Sequence, residues 1–147
     1  MNILTPVSDL KTSDLVTVHP KDTLASVKEH FDTQNIHHIP VVEFKKIVGI
    51  ISKTDLLYFL KGTETIDANF ENEAKLSHYK AGDLMTTALA TLEPEEPIRT
   101  ALEVFKANLF HALPIVKNEE LVGILTTYDL IVFFAEEAIK LSDYGDA

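Results

Sequence analysis

Residues 9–57 of this chain can be laid over residues 83–131 at a constant offset of 74 with no gap, and 16 of the 49 aligned positions are identical. The identities include Asp9/Asp83, Thr17/Thr91, Pro20/Pro94, His37/His111, Pro40/Pro114, Gly49/Gly123 and Asp55/Asp129. Many other pairs exchange one apolar residue for another, as Ile39/Leu113 and Val41/Ile115 do. Such a duplication limits the fold to two copies of one supersecondary unit. A unit of about 50 residues buries too little apolar surface to stand comfortably alone, so the copies are expected to share a core. The expected body packs the two sheets together about a pseudo-two-fold axis. Two equivalent clefts would then lie where strand ends and helix starts converge.

Each copy reads β-α-β-β-α, giving a mixed α/β (α+β) fold class. An extended piece (Leu15 to Val18; Leu89 to Leu92) runs to Pro20 or Pro94, whose ring fixes the backbone and removes a donor. In the first copy Asp22 is the expected cap of a helix with Leu24, Val27 and Phe31 on one face. In the second, Pro97 suits the first helical position, and Ile98, Ala101, Leu102, Phe105 and Leu109 form the stripe. Strands at Ile39–Val42 and Leu113–Val116 lead through polar turns into strands at Ile47–Ile51 and Leu121–Leu125, a spacing that suits hairpins with a longer loop. The domains expected are 6–62 and 80–140. The intervening 63–79 reads as a polar linker with a helical turn near Asn72–Leu76, and the acidic tail Leu141–Ala147 is expected to fray.

Composition removes several function classes. A 46% hydrophobic and 24% charged chain is that of a soluble globular protein. Without Cys there is no disulfide, thiol chemistry or thiolate metal site. No basic flank with a long apolar stretch opens the chain, and no apolar run approaches the roughly 20 residues that span a bilayer, so a cytoplasmic location away from membranes is expected. A formal net charge of −10 argues against nucleic acid and anionic lipid as partners. A small phosphorylated ligand remains open, because a few backbone N–H groups and one or two cations can hold it.

The chemistry concentrates in a phrase written twice: Gly49-Ile50-Ile51-Ser52-Lys53-Thr54-Asp55 and Gly123-Ile124-Leu125-Thr126-Thr127-Tyr128-Asp129. Each reads as a strand running into the first turn of a helix. The structural reading is a capping box, hydroxyl to an early N–H and carboxylate back to the cap's own N–H. The functional reading uses the same place differently. Free N–H groups and partial positive charge suit a phosphate beside the hydroxyl, and a carboxylate one turn in can accept the vicinal hydroxyls of a ribose. No nucleophile with a partnered base and no Gly-rich phosphate loop is present, so no catalytic residues are expected. His37, His38 and His111 lack a carboxylate at ligand spacing, and no metal site is expected either. The segments 54–60 and 128–141, with Leu56, Leu57, Tyr58, Phe59 and Leu60 in one and Leu130 to Ala135 in the other, are more apolar than a single unit needs, which points to a homodimer contact.

Taken together, these residues resemble the tandem cystathionine β-synthase (CBS) domain pair, or Bateman module. The matching features are Asp83-Leu84-Met85-Thr86, Thr17-x-x-Pro20 and Thr91-x-x-Pro94, His37-His38-Ile39-Pro40-Val41-Val42 and His111-Ala112-Leu113-Pro114-Ile115-Val116, and the two Gly-to-Asp phrases. The first copy opens Asp9-Leu10-Lys11-Thr12, with Lys11 where the family carries Met. The resemblance implies a regulatory module that binds AMP, ADP, ATP or S-adenosylmethionine in clefts between paired units, dimerises into a flat disc, and signals to a partner not encoded here. It implies ribose contacts from Asp55 and Asp129, phosphate contacts from Ser52 and Thr126, a wall at Thr17 and Thr91, and purine contacts at Ile39, Pro40, Leu113 and Pro114. His38 stands where a basic residue meets phosphate, with Lys53 nearby, whereas Ala112 occupies the second position; the first cleft is therefore the expected anion site. If His38 does bind phosphate, affinity should fall as pH rises through about 6.5, where imidazole ordinarily loses its proton. The alternative reading is a dimerisation scaffold that has lost its ligand.

Overall fold

A hairpin lies at the centre of each repeat, and the two are built alike. Strand β1 (His38–Glu43) pairs antiparallel with β2 (Lys46–Ser52), placing His38 opposite Ser52 and Glu43 opposite Lys46. Strand β3 (Ala112–Lys117) pairs with β4 (Glu120–Thr126), placing Ala112 opposite Thr126. Even the register shift recurs, between Val41 and Val42 and between Ile115 and Val116. The computed structural model describes residues 2–10, 15–60 and 68–144, and the side chains of these except 68–71 and 139–144.

Both hairpins close in two residues rather than the longer loops expected. Phe44 and Lys45 have φ of 52° and 66°, Asn118 and Glu119 of 52° and 67°. Positive φ at both central positions is the type I′ geometry, whose twist matches that of the strands it joins. Neither Phe-Lys nor Asn-Glu carries the glycine that advertises such a turn.

Strands β1 and β3 are buried over short runs instead of alternating. Ile39, Pro40 and Val41 are buried, as are Ala112 through Ile115, the pattern of strands covered on both faces. The extended pieces before them are smaller than the strands expected at Leu15–Val18 and Leu89–Leu92. Each contributes a single bridged residue: Val18 N–H donates to Pro40 O (3.1 Å) and Val42 N–H to Val18 O (2.8 Å), and Leu92 repeats this against Pro114 and Val116.

The helices are α1 (Leu24–Thr33), α2 (Lys53–Leu60), α3 (Ala68–His78), α4 (Ala81–Leu84), α5 (Ile98–Lys106) and α6 (Thr127–Tyr144). The cap of α1 is Thr23, whose hydroxyl accepts from Ser26 N–H at 3.3 Å; Asp22 accepts instead from His19 N–H at 2.8 Å and holds the turn before it. Pro97 is likewise the cap residue of α5 and precedes its first turn. Leu109 lies beyond the end of α5 and is 77% exposed, so the buried stripe stops short of it.

Helix extends further than expected in two segments. Over 68–78 the linker is an eleven-residue helix that lies against α1, with Leu76 packed on the core. The ring of Tyr79 stands edge-on to Phe59 at 5.2 Å, and Lys75 Nζ lies 5.4 Å from the Phe59 ring. At the other end α6 continues to Tyr144, through part of the tail expected to fray. Linker residues 63–67, tail residues 145–147 and the Lys11-Thr12 part of the first opening phrase lie outside the described residues.

The chain forms two compact units, one of Val16–Leu89 and the other of Met1–Leu15 with Ala90–Ala147. The repeats thus exchange their opening residues. Ala81 and Gly82 donate N–H groups to Asp22 O and Pro20 O (2.7 and 2.9 Å), and Val7 and Ser8 donate to Glu96 O and Pro94 O (2.8 and 3.1 Å) at the equivalent places. Ala81 is fully buried in the core of one unit with Leu24, Val27, Ile39 and Ile51. Val7 is fully buried in the other with Ile98, Leu113 and Leu125. A closer approach exists in the first unit alone among the described residues. A Cβ on Gly49 would fall 2.5 Å from Met85 Sδ, whereas on Gly123 it would meet nothing among the described residues nearer than Ile115 Cδ1 at 3.6 Å.

Candidate functional site

In the Val16–Leu89 unit the hairpin register brings the sequence-predicted residues to one end. His38 opens β1 directly opposite Ser52, the last residue of β2, and α2 begins at once with Lys53. Lys53 N–H donates to His37 O at 2.8 Å, which ties the first turn of α2 to the entry of β1. Asp55 N–H donates to Ser52 Oγ at 3.0 Å, so the hydroxyl caps the helix. Ser52 and Lys53 are half-buried and Asp55 is exposed. Among the described residues nothing donates to the Asp55 carboxylate and no cation pairs with it.

The equivalent place in the other unit uses the same residue types and a different bonding pattern. Ala112 stands opposite Thr126, and Thr127 N–H donates to His111 O at 3.2 Å. Here the box is complete: Asp129 N–H donates to Thr126 Oγ1 at 3.2 Å, and Thr126 N–H donates back to Asp129 Oδ2 at 2.8 Å. The Asp129 carboxylate is half-buried and is occupied in holding the start of α6. The capping reading is thus realised in full at Thr126/Asp129 and by one arm at Ser52/Asp55. Spacing in the sequence is the same for both and carries no sign of this difference.

The remaining predicted residues fall into two groups. Thr17 and Thr91 are exposed, each one residue before the bridge that joins Val18 or Leu92 to the hairpin. Ile39, Pro40, Leu113 and Pro114 are fully buried, so they set the position of their neighbours from beneath. A 300 Å³ cavity lies beside Asp129, lined by Leu10, Tyr128, Val132 and Phe133 with Asp9 and Glu136. Away from these places, Lys117 Nζ sits 3.0 Å from Glu95 Oε1 and holds that carboxyl below its ordinary range. Among the described residues no group of three or more His, Asp or Glu side chains is placed to hold a metal ion, and no helix is long and apolar enough to cross a membrane.

The family model of the CBS domain matches the chain twice, over residues 7–62 and 81–136. Among curated proteins the chain is 32% identical over 120 residues to inosine-5'-monophosphate dehydrogenase of Methanocaldococcus jannaschii, a match that takes in 80% of this chain and 21% of that enzyme. The match to the same enzyme of Thermoplasma acidophilum also spans 21% of its length. YlbB of Bacillus subtilis is 27% identical over 129 residues, 86% of this chain and 80% of that protein. Among solved structures, the CBS domain of a CBS-domain-containing membrane protein from Sphaerobacter thermophilus superposes with a TM-score of 0.74 at 26% identity, covering 88% of each chain. CBSX2 of Arabidopsis thaliana, solved in complex with AMP, has the same fold, with a TM-score of 0.74 at 23% identity over 89% of this chain and 97% of that one. With its two repeats, its two antiparallel hairpins and both family matches in register, this chain belongs to the CBS domain family as a CBS pair.

Proposed function

We propose that this chain is a regulatory module that binds an adenine nucleotide or S-adenosylmethionine, and that the Ser52/Asp55 end of the Val16–Leu89 unit carries the ribose and phosphate contacts. The observation behind this choice is the Asp55 carboxylate beside a helix start, which accepts no hydrogen bond among the described residues, set against the committed carboxylate of Asp129. In this reading Asp55 accepts the ribose hydroxyls, and Ser52, Lys53 and His38 face the phosphate. Thr17 lines the wall, with Ile39 and Pro40 behind it. AMP bound to CBSX2 favours an adenine nucleotide, with ADP and ATP as the other candidates. Ligand would act by population shift, favouring one arrangement of the module only to the extent that it binds that arrangement better. The regulated partner is a separate protein or domain, the location cytoplasmic, and the module itself no enzyme.

The completed box at Thr126/Asp129 favours a second reading for that unit: a structural copy whose ribose-position Asp serves the fold. Thr91, Leu113 and Pro114 would then frame no ligand. The module is further proposed to be a homodimer, because Leu57 and Tyr58 on α2 and Tyr128 and Ile131 on α6 are 55%, 82%, 67% and 63% exposed. Thermal shift with AMP, ADP, ATP and S-adenosylmethionine tests the ligand reading. A ligand at a hundredfold excess over its Kd adds about 2.7 kcal/mol of stability, and no shift with any of the four would overturn it.

A further inference from the structure

The two hairpin tips are the same turn carrying opposite chemistry. In the Val16–Leu89 unit the tip is Phe44-Lys45, followed by Lys46, with Lys21 exposed and the His19 ring Nε2 3.7 Å from Glu43 Oε1 at the same end. At the equivalent positions of the other unit stand Asn118, Glu119 and Glu120, with Glu95 for Lys21 and Glu93 for His19. Glu43 and Lys117 are exchanged in the reverse sense. Duplicated surfaces have therefore become a basic tip with an aromatic residue at its apex and an acidic one without.

Phe44 is unfavourable for folding in two ways. Its φ of 52° places a bulky aromatic residue in the left-handed region, which Asn, its counterpart at 118, enters with much less strain. Its ring is 90% exposed. The turn itself does not require Phe, since Asn118-Glu119 makes the same one. An exposed aromatic residue followed directly by two lysines has the composition of a binding anchor. Its chemical complement lies on the other unit: a 540 Å³ concavity with Leu92 and Val116 in its lining and Glu93, Glu96 and Glu119 as its acidic groups.

We propose that the Phe44 tip of one chain docks into the Glu93/Glu96/Glu119 concavity of a second copy of the same chain. Phe44 supplies apolar burial, and Lys45, Lys46 and Lys21 face the carboxylates. The contact is heterologous, two different patches meeting, so a pair joined in this way still presents one unused tip on one chain and one unused concavity on the other. Charge complementarity of this kind sets register and encounter rate and weakens as salt rises.

Sedimentation velocity of the full chain over a range of concentrations, at about 0.02 M and about 0.5 M salt, reads the contact directly. At low salt the average mass should climb with concentration beyond the helix-face dimer, and at high salt it should fall back. Phe44→Asn and Lys45→Glu should each weaken this step at least about tenfold and leave the dimer. Phe44→Asn should also raise the melting temperature by about 3 °C, because it relieves the backbone. Lys45→Glu chains and Glu93→Lys chains, each defective alone, should associate when mixed, since one retains the concavity and the other the tip. A wild-type mass that does not change with concentration at low salt overturns the proposal and leaves the tip to a different protein. Association that survives Phe44→Asn unchanged overturns it as well.

Discussion

Asp55 and Asp129 occupy one position of a duplicated phrase, and the difference between them lies in what each carboxylate is bonded to. Asp129 accepts the Thr126 N–H at 2.8 Å, a charge-assisted bond at a helix start. Replacing it by Ala should cost about 1 kcal/mol of stability. Asp55 makes no such bond among the described residues, so Asp55→Ala should change stability by no more than about 0.5 kcal/mol. Urea unfolding of both variants checks the pair of values, and equal losses would return Asp55 to a purely structural role. The glycines make a second comparison. Gly49→Ala drives a methyl group into Met85 and should cost about 1–3 kcal/mol, an overpacking penalty, whereas Gly123→Ala meets ordinary distances among the described residues and should cost less. The phrase itself was legible in the sequence. Which carboxylate is engaged was not, because that depends on side-chain torsion and on how the strand enters the helix, and [ST]-x-x-D spacing encodes neither.

At the scale of elements, periodicity located the helices that open and close each repeat and both hairpins, and failed where the signal is not periodic. The two-residue turns were missed because neither contains Gly, and Phe44-Lys45 holds no residue that prefers positive φ. Helix α3 was read as a single turn near Asn72–Leu76 because Asn69, Glu71, Asn72 and Glu73 make its first half polar, while Lys75, Leu76 and the following Tyr79 make contacts with the core and with Phe59 that spacing does not show. The excess apolar character of α2 and α6 was legible, and the residues responsible are now specific. Leu57 and Ile131 are equivalent by the 74-residue offset and are both exposed, while Leu56 and Leu130 beside them are buried. A Leu57→Glu, Ile131→Glu double variant should therefore keep its fold and lose the proposed dimer. Light scattering at matched concentration reads the mass, and a variant that remains dimeric would remove these faces from the interface.

For the whole molecule, duplication explains why two units have the same hairpin register and the same bulge, and divergence explains why they need not do the same work. The exchange of opening residues is invisible in the sequence. It rests on backbone hydrogen bonds from Ala81 and Gly82 to residues some 60 positions earlier, and from Val7 and Ser8 to residues nearly 90 positions later. One unit presents an Asp unengaged among the described residues, a His at the strand entry and a basic tip. The other has a completed helix cap, Ala112 at the strand entry and an acidic concavity. The measurement that bears most directly on this division is calorimetric titration of AMP into the wild-type chain, Asp55→Ala and Asp129→Ala. One nucleotide per chain, lost in Asp55→Ala and retained in Asp129→Ala, is the expected result. Two equivalent sites in the wild type, or binding that survives Asp55→Ala and disappears in Asp129→Ala, would contradict it.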